Sequence, residues 1–517
     1  MSQPSELVRR VLASAAGDAG DVRLHFVDHA GVEDSTTVAQ LVDDAFALAG
    51  GLAGAGVRPG DVVAVRGSGS RRFGAGVLAC ALGGMVAVPL VSLLGDGDVD
   101  LILDLSGARA LLSETTGTRH DLVPHLTALA GTRPELLVVD LDDRDAVRGA
   151  VRLEPGAGEH QPVALPGPAG FVLFTSGTTS VPKGAVHSHD TVLAEVLDFA
   201  GQLDLLHGGR FLQPFPMGHV GGLVGLFIAL ALGREVVVLA SWNAAVAFEA
   251  IERHALTSTG STPYFAATLF EERARRGCGL ASLTTMESGG GPVGSDLVRR
   301  AHEIGIALSP GYGSTEHPTV ATHRSSDPLE VRAGSDGRPT NGSEIRIVGA
   351  DGGELPVGGD GEVVVRGPEQ FLGYLSGDRS AFLDGGWFRT GDLGHLTADG
   401  CLRVTGRLKE IIIRGGENIS VPEVEAHLAA HPDVLDAAVV GLPDVRFGER
   451  ASAFVVRRPG HPVVDLDSVR HHFVARGVAR FKIPESVHEV AELPRNALGK
   501  VQRHALVPVP QAGSVHG

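Results

Sequence analysis

Between Asp61 and Glu316, apolar runs of strand length alternate with longer stretches of helical pattern. DVVAVRG, LLVVDL, FVLFTSG, REVVVLAS and the stretch ending in LSPGYGSTE read as strands, and the segment around GAGVLACALGGMVAVPL reads as a helix. Such alternation builds parallel strands covered by helices, an α/β chain. From about Gly342 the rhythm changes to short strands and Gly-rich turns, as in EIRIVGADGGELPVGGDGEVVVRG, which predicts a small β-rich subdomain. After GRLKEIIIRGG, VPEVEAHLAAHPDV reads as a helix opened by a proline and DAAVVGLPD as a strand. A compact C-terminal domain is therefore expected from near Arg407 to Glu410, dividing the chain into 1–408 and 409–517. More than one domain is required, because single cores stop growing at roughly 250–300 residues and the chain has 517. The last residues, VPVPQAGSVHG, read as a loose tail.

Charge and cysteines narrow the partners. With 61 acidic against 44 basic residues the formal charge is −17, and no long basic run with interleaved aromatics occurs, so nucleic acid is not expected as a partner. Cys80, Cys278 and Cys401 stand far apart, outside any zinc, redox or disulfide spacing, which fits a reducing, cytoplasmic setting. The start, MSQPSELVRRVLASAAGDAG, lacks the h-region of a signal peptide, and Leu7, Val8, Val11 and Leu12 instead have the spacing of a surface helix. VGGLVGLFIALALG is interrupted by Arg234 and Glu235 before the roughly 18–20 residues of a membrane span, so no span is expected there. A buried helix followed by a buried strand is.

One stretch carries chemistry on its face. LFTSGTTSVPKGAVHSH, Leu173 to His189, follows an apolar strand with a turn in which backbone N–H groups can converge on one anion. Thr175, Ser176, Thr178 and Thr179 add hydroxyls, and Lys183 adds a positive charge. It is not the GxxxxGK[ST] loop, since this lysine precedes its glycine and no Ser or Thr follows. A polar surface turn is the bland alternative.

FTSGTTSVPKGAVHSH resembles the phosphate-loop motif of the adenylate-forming superfamily of acyl-CoA synthetases, luciferases and peptide-synthetase adenylation domains. The resemblance continues in order along almost the whole chain. FPMGHVGGL is similar to the family's segment ending in histidine, ESGGGPVG to its adenine-side glycines, and GYGSTE to the motif that supplies a metal-binding glutamate. WFRTGDLGHLTADG, GRLKEIIIRGGENISVPEVE and LPRNALGKVQR are similar to the ribose, hinge and C-terminal lysine motifs. The fold implied is a large N-terminal domain of doubly wound α/β subdomains with a small β-rich one, plus a compact, mobile α+β C-terminal domain.

The resemblance implies a reaction and its parts. A carboxylate attacks the α-phosphorus of ATP to give an acyl-adenylate and pyrophosphate, and a thiol then displaces AMP. Both reactants of the first step are anions, so fixed positive potential and magnesium are needed. Thr175, Ser176, Gly177, Thr178, Thr179 and Lys183 would hold the β- and γ-phosphates. Glu316 would bind Mg2+ and Thr315, after Gly313, would contact the α-phosphate. Tyr312 and the Gly289, Gly290 and Gly291 backbone would line adenine, and Asp392 with Arg407 would take the ribose hydroxyls. His219 would stand at the wall of the acyl pocket, and Lys500 would reach the carboxylate and α-phosphate during adenylation. Lys409 matches the hinge, and Gly415 and Gly416 lie where relatives pass the pantetheine arm, so free coenzyme A or a carrier-protein thiol is the expected acceptor.

Read alone, each of these has a bland counterpart. Asp392 is a turn residue, Lys500 and Arg407 are surface charges, Glu316 is a helix cap and His219 is a core histidine. Two departures from the family pattern stand out. Ser180 replaces a glycine in the phosphate loop, and Gly218 replaces a bulky aromatic before His219. The second leaves room for a bulky, apolar acid. With 5% aromatic residues, recognition is expected to rest on aliphatic walls and backbone. The rival readings are an enzyme that hands its adenylate to a partner, a nucleotide-binding regulator and a luciferase-type oxygenase. The oligomeric state stays open, a homodimer included.

Overall fold

The computed structural model describes residues 3–116, 121–142, 147–153, 161–165, 167–175, 182–408, 411–414, 417–444, 448–476, 478, 480–496 and 499–506. The chain divides into two compact units, Met1–Glu344 with Arg366–Gly386, and Ile345–Val365 with Trp387–Gly517.

Two sheets build the first unit. In the larger, Ala307–Tyr312, Thr285–Ser288, Ser258–Ser261, Arg210–Gln213, Glu235–Leu239 and Arg23–Val27 run parallel in that order. Antiparallel strands close both ends: Glu33–Thr37 beside Arg23–Val27, and Ala321–Thr322 followed by Arg338–Pro339 beside Ala307–Tyr312. In the second sheet Leu137–Asp140, Ala110–Ser113, Val62–Gly67, Val86–Val91 and Phe171–Thr175 are parallel neighbours. Lys183–His187 and then Gly373–Tyr374 extend that sheet in antiparallel fashion.

Helices join the two sheets through one core. The helix Val220–Leu232 is apolar all round because it is buried all round, and its Phe227 meets Phe171 of the second sheet edge-on, with ring centroids 5.8 Å apart. As expected, the buried strand Glu235–Leu239 follows it. The helix Glu6–Ala16 buries Leu7, Val8 and Val11, while Ser5 caps its N-terminus by accepting from the Val8 amide. Its charged face carries Arg9 and Arg10, both paired with Glu6. GAGVLACALGGMVAVPL departs from the expectation of one helix, since the helix Arg71–Leu82 ends there and the strand Val86–Val91 follows. An apolar run without polar interruptions does not reveal which period it follows.

The second unit holds the short strands expected after Gly342. Glu344–Val348, Gly361–Arg366, Phe388–Leu396 and Leu402–Arg407 form a four-stranded sheet. A five-stranded sheet contains Ile411–Arg414, Glu417–Ser420, Val434–Asp444, Gly448–Arg457 and Ser486–Glu489. The proline-opened helix is Val421–Ala429, with Ser420 accepting from the Glu423 amide as its cap. No described helix is long and apolar enough to cross a membrane.

Candidate active site

Thr175 ends one strand and Lys183 begins the next, directly opposite it. Ser176, Gly177, Thr178, Thr179 and Ser180, between them, lie outside the described residues, as do Lys409, Gly415 and Gly416.

Strand side chains alternate between faces, so Lys183, Ala185 and His187 share one face. Tyr374 pairs with Ala185 and joins that face. Its ring centroid lies 4.7 Å from Lys183 Nζ, and its hydroxyl donates to Glu316 Oε1 at 2.7 Å. Burial first, then the charge of Glu316, pushes the phenol above its ordinary pKa, so it remains a donor. His187 completes the row, its Nε2 lying 2.8 Å from the Thr315 carbonyl oxygen. A carbonyl only accepts, which puts the proton on Nε2. Burial lowers the pKa of this imidazole to about 4, so it is neutral.

The Glu316 loop is held from a second side. The Phe371 amide donates to the Glu316 carbonyl at 2.8 Å. The Thr319 amide donates to Glu369 Oε2 at 3.3 Å, and its hydroxyl donates to Glu195 Oε1 at 2.8 Å. Glu195 and Glu369 are both buried, and desolvation raises both carboxyl pKa values, with the charge of Glu195 adding to the rise at Glu369. Gly313 is required by this loop closure, since a Cβ there would stand 1.8 Å from the Pro318 carbonyl oxygen.

Tyr312 ends the strand Ala307–Tyr312, and its carbonyl accepts from the Val320 amide at 2.8 Å. Gly289, Gly290 and Gly291 follow the adjacent strand Thr285–Ser288, so the two segments expected to line adenine leave the same end of one parallel sheet. His219 stands at the N-terminus of Val220–Leu232, and burial lowers its pKa to about 4.

Gly218 has a different reason than the sequence suggested. A Cβ there would meet Val91 N at 2.7 Å and Leu90 C at 2.9 Å. The missing side chain admits neighbouring backbone and leaves no room for substrate on that side.

In the second unit, Asp392 and Arg407 face each other across an antiparallel pair, with Arg407 Nε 2.6 Å from Asp392 Oδ1. The carboxylate is only 4% exposed, so its negative charge is fixed in place. Lys500 is exposed on a turn in which its amide donates to Asn496 Oδ1 at 2.9 Å and its carbonyl accepts from the Asn496 amide at 2.9 Å.

Magnesium suits Glu316. It takes oxygen ligands, one or two carboxylates together with phosphate oxygens, and a carboxylate has more lone pairs than one phenol uses. His25, Glu33 and His254 also bring ligand-type atoms within 4.8 Å of one another. There Arg253 already balances Glu33 at 3.2 Å, as an ion-pair network does without a metal.

Tyr374, Phe371, His187, Glu195 and Glu369 were not singled out from the sequence. Tyr374 and Glu316 are 58 residues apart, and FLGYL has no pattern that marks its tyrosine.

The AMP-binding enzyme family matches residues 13–375, and the AMP-binding enzyme C-terminal domain matches 423–500. A medium-chain fatty-acid–CoA ligase of Escherichia coli (strain K12) is 31% identical over 495 residues, 94% of this chain and 87% of that protein. A salicyl-AMP ligase / salicyl-S-ArCP synthetase of Mycobacterium tuberculosis is 32% identical over 508 residues, covering 95% and 87%. The o-succinylbenzoate coenzyme A synthetase of Bacillus subtilis, solved with ATP and a magnesium ion, superimposes with a TM-score of 0.81 at 28% identity, over 98% of this chain and 99% of that one. With both family matches in chain order, this chain belongs to the AMP-binding, adenylate-forming enzymes.

Proposed function

We propose that this protein activates a carboxylic acid with ATP to an acyl-adenylate and then transfers the acyl group to the thiol of coenzyme A. The observation that carries the reading is the row Lys183, Tyr374, His187, which gathers a cation, the Glu316 carboxylate and the Thr315 backbone on one face at a sheet edge. Two anions must meet in the first step, and a cation beside a carboxylate suited to magnesium lowers their repulsion.

In this reading Thr175, Lys183 and the 176–179 segment hold the β- and γ-phosphates. Glu316 holds magnesium, which when bound neutralises phosphate charge. Thr315 contacts the α-phosphate, Tyr312 and Gly289–Gly291 flank adenine, and Asp392 accepts from the ribose hydroxyls while Arg407 keeps its carboxylate in place. Lys500 brings a positive charge to the carboxylate and α-phosphate in the first step. The C-terminal domain, from Lys409 onward, then turns about that residue so that Gly415 and Gly416 replace Lys500 for the thiol step. The free cysteines, two of them buried, support a cytoplasmic setting.

The acid in this reading is bulky and apolar. Trp242 stacks on Phe265 at 4.4 Å, and Phe215, in the His219 segment, lies 6.0 Å from Phe265. This cluster supports an aromatic wall rather than an aliphatic one. The relative named a medium-chain fatty-acid–CoA ligase supports the same class. A second reading, transfer to a carrier-protein thiol, is favoured by the relative whose name includes a salicyl-S-ArCP synthetase.

The test is a mass-spectrometric assay of purified protein with ATP, magnesium and pooled acids from acetate to polycyclic acids, with and without coenzyme A. An acyl-CoA formed only when coenzyme A is added supports the ligase. Adenylate that persists in its presence favours the carrier reading, and no adenylate from any acid contradicts both.

A further inference from the structure

We propose that Tyr374 is a positioning residue that holds the metal-binding carboxylate of Glu316 and the phosphate-binding ammonium of Lys183 apart, each charged and each oriented for MgATP. This rests on the functional reading of those two residues given above.

The geometry of one side chain carries the inference. Tyr374 touches Glu316 with its hydroxyl, at 2.7 Å, and Lys183 with its ring, at 4.7 Å. If Lys183 and Glu316, which share this side chain as a partner, paired directly instead, each would have to be released before it could bind a ligand. The phenol offers each a weaker partner that leaves its charge intact. The hydroxyl uses one lone pair of a carboxylate, and the ring face attracts an ammonium without consuming any of its three N–H donors.

The ring is itself fixed. Tyr374 belongs to a two-residue strand, flanked by the Leu372 amide donating to the Val186 carbonyl at 2.7 Å and the Leu375 amide donating to the Gly184 carbonyl at 2.8 Å. Phe371 meets the ring edge-on at 4.9 Å and is stacked in turn by Phe382 at 5.3 Å. Phe371 also donates its amide to the Glu316 carbonyl, so the segment that sets the ring sets the backbone of Glu316 as well. A side chain locked on both sides orients its partners at little entropic cost.

The test is calorimetric titration of ATP, without acid, in the presence and absence of Mg2+, on the wild type, Tyr374→Phe, Tyr374→Leu and Glu316→Gln. Dissociation constants are read at a stoichiometry near one site per chain, so only folded protein counts. We expect Tyr374→Phe to reduce the magnesium-linked gain in ATP affinity about tenfold, the size of a hydrogen bond to a charged group, while metal-free ATP binding stays within about twofold. Tyr374→Leu, which also removes the ring from Lys183, should further weaken metal-free binding about two- to fivefold. If Glu316→Gln loses the magnesium-linked gain and Tyr374→Phe keeps it, the positioning role is overturned while the Glu316 reading survives. If Glu316→Gln keeps the gain, the Glu316 reading itself falls, and the role of Tyr374 with it.

Discussion

In the proposed reaction Glu316 and Lys500 serve the same phosphoryl chemistry, yet the fold holds them in opposite ways. Glu316 is bound through its side chain to Tyr374 and through its backbone to Phe371, and its neighbour Thr315 is bound to His187. Lys500 is exposed, on a turn closed by its own backbone with Asn496. Asp392, in the same unit as Lys500, is almost as enclosed as any core residue and is paired in register with Arg407. The contrast therefore follows the task and not the unit. On the proposed reading, a group that must orient a ligand is fixed by side-chain partners, while a group needed in one step and then withdrawn is presented at the surface.

Substitutions can break this contrast. Glu316→Gln keeps the shape and removes the charge, and should lower the rate of adenylation about 10²–10³-fold, measured by pyrophosphate exchange. A loss no larger than that from an exposed carboxylate elsewhere would remove Glu316 from the chemistry. Asp392→Asn should weaken ATP binding about tenfold or more, since a charge-assisted hydrogen bond is lost and Arg407 keeps its charge with no carboxylate opposite. Unchanged affinity would show that Asp392 serves only the sheet. Gly218→Ala should destabilise by about 1–3 kcal/mol, seen as a lower melting temperature, because its Cβ runs into the Leu90–Val91 backbone. An unaltered melting temperature combined with a changed preference between large and small acids would restore the idea that this glycine leaves room for substrate.

The enclosed side of the contrast also sets a pH dependence. Burial first, then the charge of Glu195, raises the Glu287 carboxyl pKa to about 8. The folded state thus keeps a proton that the unfolded carboxyl has lost above about 4.5. Its stabilising contribution is complete below that value and disappears as pH rises through about 8. His187, His189, His219 and His317 are lowered to about 4, mainly by burial, and act in the other direction. Their contribution is complete above about 6.5 and is lost as pH falls towards 4. Stability should therefore fall on both sides of a maximum, with Glu287→Gln flattening the alkaline limb by up to about 1.4 kcal/mol per pH unit. An unchanged alkaline limb would mean that Glu287 ionises normally.

Much of this molecule was legible in its sequence, for physical reasons that vary along the chain. Strands such as FVLFTSG and REVVVLAS stand out because buried parallel strands are apolar throughout and bounded by polar turns. The N-terminal helix was readable from Leu7, Val8 and Val11, the residues it buries. Thr175, Lys183, Thr315, Glu316, Asp392 and Arg407 were singled out because each sits in a contiguous motif. Tyr374 was not, because its role depends on a two-residue strand that brings it beside Ala185, and strand pairing leaves no local trace. The buried pair Glu195 and Glu369 was hidden for the same reason. Gly218 was misread because a missing side chain looks alike whether it admits a ligand or a neighbouring backbone.

The most direct test of the contrast measures Lys500→Ala in the two half-reactions separately. Acyl-adenylate formation is followed from acid and ATP, and thioester formation from synthetic acyl-adenylate and coenzyme A. If Lys500 is presented for one step and withdrawn for the other, the first rate collapses and the second stays near that of the wild type. Equal loss in both would contradict the account, because an exposed lysine needed throughout would have no reason to be held on a turn.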